Sequence, residues 1–276
     1  MKTQIIQTKP SLFFSIALVI FLFFLFVVVA YALLPVNQNA NPPYTWGWGV
    51  DWKEIIRPAS LAILNGESPY AGNFGILPPW AYLIILPIAI LPPGLGSAVI
   101  FVLNYFIYAF FLYQKKISAI TTSLFLLNAF IFTNGINGNL DFLSILGFVL
   151  PPQIGVLFAL IKPQIGIGIV IYWMFEEWMA GKWRALIRLF YPAVLIYCLS
   201  FAIFGFWPIN LLKMPHDPYN ASLWPWGIVI GLIFLIKAIL KKKANYAMSA
   251  SPFFAPYVNI SSYSVVLLLV KDNTVL

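Results

Sequence analysis

Asp51 is one of only eight acidic residues in 276, and it shares a polar stretch with Glu54, Glu67, Lys53 and Arg57. From Asp51 to Leu64, apolar residues recur at Ile55, Ile56, Ala59, Ala62 and Ile63, with Asn65-Gly66 as a stop. That spacing predicts a short interfacial helix with Asp51 at its N-terminal end. Free amides and the helix dipole favour the ionised carboxylate there, which suits it either to cap the helix or to take a proton as a general base.

Other polar residues form two further groups. Lys213-Met214-Pro215-His216-Asp217 opens a polar island between apolar runs, and His216 is the only histidine. Lys213 and His216 have donors and charge that could hold an anion such as a lipid phosphate, or they are an incidental loop. Asn139, Asp141 and Lys162 lie among apolar runs, where an ionisable side chain faces a polar cavity or reaches for an interface. With one histidine and one cysteine, Cys198, the chain is expected to bind no metal and to form no intramolecular disulfide.

Composition decides the surroundings of these groups. Hydrophobic residues make up 62% of the chain and charged residues 9%, which excludes an ordinary soluble domain. We expect an all-α, polytopic membrane protein forming a single domain over residues 1–276. About eight to ten helical segments, several broken by proline, would surround a cavity. The first apolar run, about Ser11 to Leu34, reads as a retained anchor, and residues 35–75 as an extracytoplasmic loop carrying the interfacial helix.

The net charge of +8 does not point to nucleic acid, because the cations cluster at the ends of apolar runs. Lys2 and Lys9, Lys182 with Arg184 and Arg188, and Lys241-Lys242-Lys243 read as cytoplasmic topology signals and put the N-terminus inside. Strict alternation then places Lys115-Lys116 outside, against the same rule. A re-entrant or miscounted segment between Ile76 and Lys162 would remove the conflict.

The order of short motifs after Asp51 carries a family resemblance. Asp51 is followed by Ala59 and Ala62, then Gly66, Pro69 and Tyr70, then Pro78-Pro79, then Pro87, Ala89, Leu91 and Pro92. This order resembles the GT-C glycosyltransferases, and most closely glycosyltransferase family 87, the polyprenyl-phosphate-dependent membrane mannosyltransferases. Lys162-Pro163 is similar to the family's "K-P" helix, and Ser251-Pro252 with Pro256-Tyr257 to a late "S-P…P-Y" element. Gly138-Asn139-Leu140-Asp141 stands where the family has "G-Q-x-N".

The resemblance implies a sugar donor on a polyprenyl phosphate, a glycan or lipid acceptor on the extracytoplasmic side, membrane lipids as surroundings, and no cofactor. It implies Asp51 as general base in an inverting transfer. Arg57, Lys213 and His216 are then candidates for the donor phosphate, and Lys162, Asp141, Asn139 and Tyr70 for the cavity wall. Two other readings remain: a lipid or solute carrier, and a noncatalytic membrane scaffold.

Overall fold

The computed structural model describes residues 12–34, 49–71, 77–209 and 220–269. Among these residues the chain is helical, with one isolated antiparallel bridge between Asn220 and Asn259. Helix α1 (Leu12–Leu33) is apolar on every side and mostly exposed, the pattern of a helix whose solvent is lipid. Its C-terminal part packs through Val27 and Ala30 on Ala98 and Val102, near the start of α4 (Pro93–Gln114). The two helices therefore run antiparallel.

Three described helices are long and apolar enough to cross a membrane: α1, α4 and α9 (Pro163–Phe204). A fourth such element results if α5 (Ala119–Leu126) and α6 (Ala129–Asn137), bent by 56°, count as one. These are fewer than the eight to ten segments expected from the apolar runs. The difference lies in punctuation: prolines start α3 (Pro79–Ala89), α4 and α8 (Pro152–Ala159), and Asn128 caps α6. The intervening pieces are too short to cross singly.

Helix α9 has 42 residues, roughly 63 Å if straight and about twice a bilayer core. It is not straight. Lys182 takes φ 52° and ψ −137°, and the chain turns back there. Ile161, just before the helix, and Tyr197, Phe201 and Phe204 near its end accordingly share one apolar cluster.

The conflict over Lys115-Lys116 has a structural answer in α3. Its 11 residues reach only about 16 Å, and its C-terminal flank is fastened at the level of Asp51. The Trp52 indole donates to the Pro93 carbonyl at 3.1 Å, and Arg57 to that of Leu91 at 3.4 Å. The expected run Ile76 to Leu91 therefore does not carry the chain across. Helix α4 starts at the Asp51 end and delivers Lys115-Lys116 to the opposite end. Lys182, where α9 turns back, lies in the same direction. Helix α10 (Gly227–Lys241) brings Leu235 and Ala238 to the cluster holding Leu112 and Trp173, so Lys241-Lys242-Lys243 join that end too. Helix α11 (Ala244–Ala250) and the tight 3-10 turns Ser251–Phe254 and Ile260–Leu269 complete the bundle.

Two glycines fix how the Asp51 segment docks. Trp52 is fully buried; a Cβ on Gly96 would lie 2.6 Å from its ring, and one on Gly138 2.5 Å from its own Cβ. Gly138 also has φ +72°, as the left-handed C-cap of α6. Gly138→Ala should therefore cost roughly 2–4 kcal/mol, combining left-handed strain with overpacking. Gly66→Ala is the control: φ is +77° with nothing within 4 Å, so strain alone should cost about 1 kcal/mol. Thermal unfolding in detergent checks both.

Candidate functional site

Helix α7 (Asp141–Gly147) and α8 are seven and eight residues long. They form a hairpin that enters and leaves the bundle at the same end. Its arms touch closely, since a Cβ on Gly155 would lie 2.6 Å from the Gly147 carbonyl oxygen. Small residues at such a contact let two helix backbones approach.

At its mouth Lys162 Nζ donates to Asp141 Oδ1 at 2.6 Å and also to Asn139 Oδ1. Asp141 is fully buried and Lys162 is 6% exposed. The other carboxylate oxygen accepts from Asn134 Nδ2 at 3.1 Å and from Ser262 Oγ at 3.4 Å. A buried charge is tolerated when paired and hydrogen-bonded in this manner.

The polar network extends to α4. Tyr108 and Ser264 hydroxyls lie 2.9 Å apart, and Asn104 Nδ2 donates to the Ile131 carbonyl at 3.0 Å. The amide donors of Asn104 and Asn134 are thereby committed, and both Oδ1 atoms are buried without a partner among the described residues.

Asp51 sits beside this network. The helix over Asp51–Leu64 winds its first turn, Asp51–Ile56, as a π-helix before continuing as α2 (Arg57–Leu64). The capping position falls to Val50, and half-buried Asp51 is the first helical residue. The turn is tied down by the Gly49 N–H, which donates to the Ile136 carbonyl at 2.6 Å, and by Trp52 on Gly138. Burial pushes the Lys53 ammonium below its ordinary range, with Glu54 acting the other way.

The structure thus gathers the Asp51 turn, Asn139, Asp141 and Lys162 at one end. Arg57 faces the Leu91 carbonyl on the same end, and its buried Nε has no partner among the described residues. Tyr70 lies at the other end of α2, where it donates to the Leu77 carbonyl at 2.9 Å and stacks on Trp207 with ring centroids 6.3 Å apart. Burial, and next the nearby Tyr82, push its phenol upward. Recesses of about 330 and 350 Å³ flank the neighbouring turn, both bordered by Glu67 and Ser68. Lys213 and His216 lie outside the described residues.

Sequence reasoning missed Trp52, Asn104, Tyr108, Asn134, Ser262 and Ser264. The polar members lie far apart in the sequence, and only their three-dimensional meeting marks them. Asn220, which the isolated bridge pairs with Asn259, donates through Nδ2 to the Pro256 carbonyl while its Oδ1 accepts from the Ser222 and Val258 N–H groups. Among the described residues no group of three or more histidine, cysteine, aspartate or glutamate side chains could hold a metal.

Lys162→Met alone leaves the buried carboxylate without its cation and should cost about 3–5 kcal/mol, whereas Lys162→Met with Asp141→Leu should recover most of that loss. Denaturant unfolding in micelles measures the difference. No protein-family model, curated protein or solved structure matches this chain.

Proposed function

We propose that this chain is a membrane glycosyltransferase of the GT-C type, moving a sugar from a polyprenyl phosphate to an extracytoplasmic acceptor hydroxyl with inversion. One observation carries the reading. The Asp51 turn, the Gly138–Asp141 loop and Lys162-Pro163 are far apart in the chain and hold three of the motifs that resemble family 87, and they meet at one end of the bundle.

In this mechanism the Asp51 carboxylate takes the proton from the acceptor hydroxyl as that oxygen bonds to the anomeric carbon. The bond from that carbon to the phosphate oxygen breaks on the opposite face, and the lipid phosphate leaves with the electron pair. Arg57, Lys213 and His216 balance the charge developing on it. The donor needs no nucleotide cradle, being held by its lipid tail in the bilayer.

Charge supports the orientation. Lys115, Lys116, Lys182, Arg184, Arg188, Lys237 and Lys241-Lys242-Lys243 gather at the end opposite Asp51, with Glu176 and Glu177 as the nearby acids. By the positive-inside rule that end is cytoplasmic, which puts the Asp51 end outside and the N-terminus inside a multi-pass cell-membrane protein. In a Cys198→Ser background, an impermeant maleimide should label Glu67→Cys on intact cells and Lys182→Cys only after permeabilisation. The reverse pattern would invert the orientation.

The buried Lys162–Asp141 pair at a broken helix also suits a carrier. Sugar transfer by purified protein separates the two readings. Asp51→Asn should lower transfer roughly 10²–10⁴-fold, and equal transfer would remove Asp51 as base. Absence of transfer by the wild type over a panel of polyprenyl-phosphate donors, with solute uptake in vesicles, would establish the carrier instead.

A further inference from the structure

We infer that Lys162 is a positioning residue: its ion pair with Asp141 latches the mouth of the α7–α8 hairpin and, through Asn139, holds the loop on which the Asp51 turn is seated. Only the catalytic consequence rests on the glycosyltransferase reading; the latch itself is a statement about structure.

The two ends of the hairpin, Asp141 and Lys162, are 21 residues apart in the chain and meet at one point. Lys162 closes that gap three times. The ammonium reaches Asp141 and Asn139, and the backbone N–H donates to Ser144 Oγ at 3.2 Å.

Asn139 passes the restraint on. Its N–H donates to the Asn134 carbonyl at 2.9 Å and that of Gly138 to Gly135 at 3.1 Å, so the loop is held between the end of α6 and Lys162. Gly138 then presents its open face to Trp52, and the Ile136 carbonyl accepts from Gly49. Asp51 lies between those two attachments. A shift of the loop therefore moves the carboxylate, and transfer chemistry is sensitive to misplacement on the order of 1 Å.

Two variants test this without leaving one charge buried alone: Asn139→Ala, which cuts the transmission, and Lys162→Met with Asp141→Leu, which replaces the pair by apolar side chains. Amide hydrogen exchange of the full-length protein in detergent is followed by mass spectrometry. Each variant should speed exchange at least about tenfold across residues 49–57 while α1 and α4 exchange as in the wild type, a localised opening. Unchanged exchange at 49–57 in both variants would overturn the latch. A rise throughout the chain would overturn it equally, by making the pair a general stabiliser. Turnover for sugar transfer should fall with the lost protection while the donor KM stays within about twofold. Lost protection in a protein whose wild type transfers no sugar would sink the enzymatic reading and leave the latch standing.

Discussion

A lysine ammonium and an aspartate carboxylate 2.6 Å apart, both shut away from solvent, are the constraint around which this structure is arranged. Neither charge could be buried singly, because desolvation would exceed what an apolar interior returns. Pairing makes burial tolerable only if the remaining valences are used. Asn134, Asn139 and Ser262 supply the other bonds, and Ser144 accepts from the Lys162 backbone N–H. Four regions of the chain are thus committed to one point, at the mouth of the short α7–α8 hairpin.

The same end is shaped by an absence of side chains. Gly96 and Gly138 leave space that Trp52 fills, and the indole and Arg57 grip the corner between α3 and α4 through two carbonyls. The amphipathic segment beginning at Asp51 is therefore a docked part of the bundle. The opposite end holds the lysine-rich corners, so the molecule is polar at both ends in different ways: a buried, neutralised network at one and an exposed cationic collar at the other.

How much of this was legible in the sequence depends on the range of the forces involved. The helix starting near Asp51 and stopping at Asn65-Gly66 was readable, because periodicity and a glycine stop act within a few residues. The helical class followed from apolar runs and prolines. The number of crossings did not, since a proline pair signals a break without saying whether the chain continues or returns; α2 with α3, and α7 with α8, both return. Asp141 and Lys162 stood out as costly charges, yet their pairing spans 21 residues and depends on that return. Trp52 was invisible as a keystone because the space it occupies is made by glycines 44 and 86 positions away.

In the proposed transfer the polar end is where a lipid-linked sugar and an acceptor hydroxyl meet, with the Asp51 carboxylate on one side of the anomeric carbon and cationic donors on the other. A structure of the full chain with a phosphonate analogue of a polyprenyl-phosphate sugar tests that most directly. The account places the sugar against Asp51, the anomeric carbon within the roughly 3–6 Å that an intervening acceptor oxygen allows, and the phosphonate toward Arg57. A headgroup lodged at the lysine-rich end, or a sugar with no approach to Asp51, would contradict it.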